Sequence, residues 1–186
     1  AKGRSLDYQD MMVRKGIQQN HAIGVQGGNE KTQFSINAGY FNDNGIIKGL
    51  DFTRYSFRAS VDHQVNKRLK VGASSYLMYA VTNGANINPY GFLMSQNPLA
   101  KAYDDSGNLI FQQTDDALLT NPLNEIVPGA VIDETKKYRM FNSIYAELEL
   151  AKGLKYRVNF GPDFTISRNG RFYGALTNAI KGGNPT

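Results

Sequence analysis

Few residues in this chain could do chemistry. It has two histidines, His21 and His63, and no cysteine, which excludes a disulfide framework and a thiolate zinc site and leaves the redox compartment open. Both histidines sit in alternating segments beside short turns. They read as polar residues at a rim or facing a lumen, not as metal ligands or a general base. Asp104-Asp105 and Asp115-Asp116 are the dense carboxylates. Adjacent side chains in a loop diverge, and neither pair has the alternating acids of a calcium-binding EF-hand. The GVQGGN run at 24–29 lacks the GxGxxG spacing and leads into a strand rather than a helix, so it is no phosphate cradle. No Ser-His-acid order and no Gly-x-Ser-x-Gly occurs. The reading is therefore of a non-enzyme without catalytic residues, cofactor-binding residues or metal ligands. Four aromatics in a long loop remain as substrate-binding candidates: Tyr90, Phe92, Tyr103 and Phe111. Such rings stack on sugars, or pack within the loop and on a partner.

The elements that would position these residues are β-strands. Over 53–65 one parity carries Tyr55, Phe57, Ala59 and Val61, and the other Arg54, Ser56, Arg58, Ser60 and Asp62. A period of two describes a strand with one apolar and one polar face. The same pattern predicts strands over 21–27, 33–41, 69–81, 138–150 and 154–167, the last with Pro162 marking a bulge or a rim because proline donates no ladder bond. Short turns pair them at 27–32, where Gly and Asn supply the positive φ of a tight hairpin, and at 66–68 and 151–153. Residues 1–20 have no period and read as an irregular leading segment, with a helical turn possible near Ser5. No period persists over 82–137, apart from a short local strand over 108–113 and a helical turn over 115–119. A loop of that length counts against a compact soluble domain. It is ordinary on the outer rim of a membrane barrel, whose other rim has short turns.

Composition agrees with that reading. The formal charge is +5, but no run of Lys or Arg exceeds two, which argues against nucleic acid as a partner. No apolar stretch approaches the roughly 18 residues of a membrane helix. A transmembrane strand needs only about 9–11 alternating residues. The 11 tyrosines and 10 phenylalanines suit strands and interfaces, although the girdle residue Trp is absent. The inward faces would carry Arg54, Arg58, Asp62, Glu147, Glu149, Lys155 and Arg157. About six strands cannot close such a barrel, and an open edge does not exist in lipid. The expected fold is all-β: an antiparallel transmembrane β-barrel segment within a larger barrel. The chain begins at Ala1 without an initiator Met, which reads as a processed or partial chain. The rival is a soluble secreted β-sandwich that binds carbohydrate, with 82–137 as an inserted subdomain.

The run at 24–72 resembles the start of the barrel in SusC-like (RagA-like) TonB-dependent outer-membrane transporters. The shared features are the GGNEKT turn at 27–32, the Gly-Tyr-x-x-x-x-Gly-Ile strand end at 39–46 and the Asp-Phe-x-Arg-Tyr motif at 51–55. Leu6-Asp7-Tyr8-Gln9-Asp10, the YDDSG at 103–107, Asn121-Pro122 and the YAELE at 145–149 fit as well. The resemblance implies a barrel of about 22 strands with a plug. It implies residues 1–20 as the segment connecting plug to barrel, and 21–186 as the first barrel strands with an extracellular loop over 82–137. It also implies import of glycans or peptides, a SusD-like surface lipoprotein as lid, TonB contacted through a part N-terminal to this chain, and outer-membrane lipid around the wall. The location implied is the outer membrane of a Gram-negative, Bacteroidota-like bacterium.

Overall fold

A computed structural model describes residues 6–84, 91, 94, 96–113 and 120–181. A short helix α1 (Tyr8–Met12) precedes four strands, β1 (Ile17–Gly28), β2 (Thr32–Asn44), β3 (Asp51–Gln64) and β4 (Leu69–Asn83). A 3-10 helix (Pro122–Ile126) follows, then β5 (Val131–Ala151), β6 (Leu154–Phe160) and β7 (Asp163–Tyr173). The strands form one antiparallel sheet in the order β1-β2-β3-β4-β5, with β6 and β7 both pairing β5. The sheet is open: β1 lies at one edge, β6 and β7 at the other. Among the described residues no second sheet packs on it, so the arrangement is not a β-sandwich. No helix among them is long and apolar enough to cross a membrane.

The tight turns are built by asparagine. Asn29 Oδ1 accepts from the Lys31 and Thr32 amides at 2.9 and 2.8 Å, and Asn66 Oδ1 from those of Arg68 and Leu69 at 2.9 and 3.0 Å. Gly28 precedes Asn29 with a φ of 148°, and a Cβ there would strike the Thr32 carbonyl. These two turns and the one at 151–154 lie at one end of the sheet. Residues 45–50 and the long connection after β4 lie at the other end.

Several boundaries differ from the sequence reading, and β7 runs to Tyr173 where a strand end at 167 is expected. Residues 6–20 are structured: Asp7 caps α1 by accepting from the Asp10 amide at 3.0 Å, and β1 starts at Ile17 rather than near His21. β5 begins at Val131, so the connection is shorter than 82–137. The strand expected over 154–167 is interrupted at Gly161-Pro162. Both halves still face β5, and the Pro162 carbonyl accepts from the Asn142 amide at 3.0 Å. The proline breaks the ladder without ending it. The short strand expected at 108–113 is reduced to two bridges, Tyr103 with Leu109 and Gln112 with Thr120. The turn expected at 115–119 lies outside the described residues, apart from its neighbours.

The buried core lies at the long-loop end, not on the sheet. Tyr8, Met12, Ala102 and Leu123 pack together, flanked by Leu6, Met11, Leu109 and Ile126. The Tyr8 hydroxyl donates to the Ala100 carbonyl at 2.9 Å and accepts from Gln113 Nε2 at 2.6 Å. Asn121 Nδ2 donates to the Ala102 carbonyl at 2.8 Å. Arg14 pairs with Asp51 and donates to the Gly45 carbonyl at 2.9 Å, tying this cap to the start of β3.

Candidate functional site

One face of the sheet is apolar and uncovered. Phe57 is 40%, Val158 50% and Ile23 72% exposed, where side chains of this kind would normally be buried. The register groups them: Ile23, Ala38, Phe57, Leu77, Met140 and Phe164 are successive cross-strand partners. A contiguous apolar surface of this size marks contact with a partner or with lipid.

Its border toward the long-loop end is aromatic. His21, Tyr40, Tyr55, Tyr79 and Tyr138 are register partners on five consecutive strands, with ring centroids 6.1, 5.2, 6.3 and 4.8 Å apart in turn. The next position outward is Gln19, Asn42, Thr53, Val81, Lys136 and Arg168, mostly polar. Barrel strands tilt by roughly 35–45°, so such a border runs obliquely across a barrel wall. Leu69 and Val81 bound the apolar positions of β4, and Tyr138 and Leu150 those of β5, twelve residues apart in each strand. At about 3.3 Å per residue and a tilt of about 40°, that is roughly 30 Å of height, the thickness of a bilayer's hydrocarbon core. Ser75 and its partner Asn142 interrupt this face.

The opposite face is charged and aromatic. Arg54 lies over Phe41 and Arg58 over Tyr76, both 5.4 Å from the ring centroid. Nearer the short turns, the Tyr145 hydroxyl donates to Asp62, and Arg157 lies 3.9 Å over the Tyr145 ring. Glu147 pairs with Lys155 at 3.1 Å and Arg157 at 3.6 Å. Glycine at position 72 leaves room for this group, because the Tyr145 ring and the Asp62 carboxylate occupy the space a Cβ would need. The seven residues expected on the polar face share it, alternating with the apolar set along each strand.

Of the loop aromatics, Tyr103 is exposed in the bridge with Leu109, and the half-buried Phe111 accepts the Asn121 amide through its carbonyl at 2.9 Å. Tyr90 and Phe92 lie outside the described residues, as do Asp115 and Asp116. Asp104 accepts from the amides of Asn108 and Ser106 at 2.8 and 2.9 Å, and the Asn108 amide chiefly holds its carboxyl below the usual range. That carboxylate closes a turn. His21 stacks on Tyr40, and His63 Nδ1 lies 2.7 Å from Thr32 Oγ1. Among the described residues no three acidic or histidine side chains gather as a metal site. The tyrosine border escapes a strand-by-strand reading because only the register aligns it.

No protein-family model matches the chain. TonB-dependent receptor P26 of Formosa agariphila is 23% identical over 167 residues, covering 89% of this chain and 17% of the receptor. TonB-dependent receptor SusC of Bacteroides thetaiotaomicron is 36% identical over 58 residues, 31% of this chain and 6% of the receptor. A chain in the structure of the RagAB peptide transporter superposes with a TM-score of 0.75 at 20% identity, over 91% of this chain and 20% of that one. This stretch of chain is similar to SusC-like TonB-dependent receptors. The sheet has the fold of a piece of an antiparallel β-barrel and is open; the chain spans less than a fifth of the length of the TonB-dependent receptors P26, P3 and P39. The curated relatives are named as receptors, not enzymes.

Proposed function

We propose that these residues form part of the barrel wall of a TonB-dependent importer in the outer membrane of a Gram-negative, Bacteroidota-like bacterium. The apolar face lies against lipid and the charged face lines the lumen. The short turns at 28–32, 64–69 and 151–154 face the periplasm, and the cap around α1 faces outside, following the usual asymmetry of bacterial barrels. The segment before β1 leads from plug to barrel, and TonB engages another part of the same polypeptide. A SusD-like surface lipoprotein closes the outer end, and the solute is a glycan or a peptide. Tyr103 and Phe111, with Tyr90 and Phe92, belong to the loop that would meet solute or lid.

The observation that carries this reading is the uncovered apolar face, roughly 30 Å tall and edged by tyrosines. The test is the behaviour of the full polypeptide that carries this chain. It should sediment with outer membranes, need detergent for extraction, and migrate faster on gels before boiling than after. A water-soluble, detergent-independent monomer would sink the reading and restore a soluble carbohydrate-binding module.

A further inference from the structure

Among the described residues, the polar face does not pair all of its cations with carboxylates. On the polar faces of β3 to β7, Lys70 has Asp62 at 3.9 Å, Arg139 has Asp163 at 2.6 Å, and Arg171 has Asp133 at 3.5 Å. Lys155 and Arg157 share Glu147. Arg54, Arg58 and Lys137 have no carboxylate partner among the described residues, and none of their register partners is acidic. Arg54 faces Phe41 and Ala80, Arg58 faces Asn37 and Tyr76, and Lys137 faces Ala80 and Ser167. The Nε of Arg54, shut off from solvent, lacks a hydrogen-bond partner among the described residues.

The arrangement is fixed and spread out. Aromatic rings hold both guanidinium groups by cation–π contact, and a planar guanidinium matches a carboxylate through two parallel hydrogen bonds. Arg54 and Arg58 stand four residues apart on one face, about 13 Å along the strand. Arg54 and Lys137 are two strands apart in register across Ala80, about 10 Å. One small anion cannot span these distances, whereas a linear molecule with repeated acid groups can.

We infer that Arg54, Arg58 and Lys137 form a binding surface on the lumen wall for an oligomeric solute carrying two or more carboxylates. This rests on the proposed importer reading, which places the charged face on the solute's path. Because the contacts are to carboxylates, the oligomer's backbone can be a glycan or a peptide. The companion carboxylates of Lys70, Arg139 and Arg171 keep the rest of the wall from competing.

The experiment is calorimetric titration of the full transporter in detergent micelles at low salt. The probes are trigalacturonate, triglutamate and uncharged maltotriose. The proposal expects at least one acidic trimer to bind in preference to maltotriose, with affinity falling as salt rises. Binding of one acid alone identifies the solute's backbone. Arg54→Gln with Arg58→Gln should weaken acid binding by roughly tenfold or more, the scale of a lost charge-assisted hydrogen bond. Arg54→Lys with Arg58→Lys should retain part of it, which guards against a misfolded double variant. Lys152→Gln, in a short turn outside the patch, should change nothing. Failure of both acids to bind would overturn the inference. So would a glutamine variant that lowers the thermal stability of the ligand-free transporter while leaving acid binding intact, because the patch would then hold a carboxylate of the protein itself. A polypeptide that stays soluble without detergent would instead refute the importer reading, whatever it binds.

Discussion

Gly72 and Tyr145 are register partners on β4 and β5, and the tyrosine ring fills the space a side chain at position 72 would take. The ring reaches across the wall to Asp62 and carries Arg157 on its face. Gly72→Val should displace it and cost about 1–3 kcal/mol, the usual penalty for overpacking. Urea unfolding of the full polypeptide in lipid measures this. Combining Gly72→Val with Tyr145→Ala should recover part of the loss. Simple additivity of the two changes would contradict the coupling.

A charge on the uncovered face should be expensive, and one on the other face should not. Phe57→Arg is expected to cost about 2–4 kcal/mol of folding stability in a bilayer if it lies near mid-membrane. Val158→Arg should behave alike. Ser56→Arg, one residue from Phe57 on the polar face, should cost much less. Equal costs at 56 and 57 would remove the distinction between the faces.

The cap should come loose as a unit. Met12 is fully buried against Tyr8, Ala102 and Leu123. Met12→Ala should destabilise it by about 2–5 kcal/mol, as large-to-small core changes do. Amide exchange should then rise in α1, over 98–113 and over 120–126 together, leaving β3 and β4 protected. A rise confined to α1 would show that the loop holds itself.

The same cap should respond to pH through Glu125. Burial raises its carboxyl above the usual glutamate value, against the opposing effect of the Asn178 amide that donates to it at 2.5 Å. Lys48, Asp51 and Asp133 line a cleft of about 290 Å³ with it. A raised folded-state value means that Glu125's contribution is fully present below the ordinary glutamate value. It is lost as pH rises through the raised one. Exchange at the Asn178 amide, corrected for intrinsic rates, should therefore slow as pH falls from 7 toward 4.5. Glu125→Gln should flatten that dependence.

Much of this molecule is plain in its sequence. The alternation of Tyr55, Phe57, Ala59 and Val61 against Arg54, Ser56 and Arg58 identifies β3, and the Asn-containing turns fix two of its neighbours' ends. The first residues of β5 are less legible for a physical reason. Asp133 to Lys137 extend beyond the apolar face, so both sides of the strand are polar there and the period of two disappears. α1 is five residues long, too short for a helical period, and its core partners lie about 90 and 110 residues away. The tyrosine border depends on cross-strand register, which no single strand encodes, and so does the finding that Arg54, Arg58 and Lys137 lack a carboxylate partner among the described residues.

The central claim is that the two faces of β3 meet different solvents, lipid and water. The 186 residues contain no cysteine, so single cysteines at positions 55 to 61 of the full polypeptide can carry nitroxide labels once any cysteines elsewhere are replaced. Their accessibility to oxygen, which partitions into lipid, and to a water-soluble nickel chelate should be measured in bilayers. Labels at 55, 57, 59 and 61 should favour oxygen, and labels at 56, 58 and 60 the nickel chelate. Accessibility without that period of two, or with its phase reversed, would contradict a membrane-spanning wall.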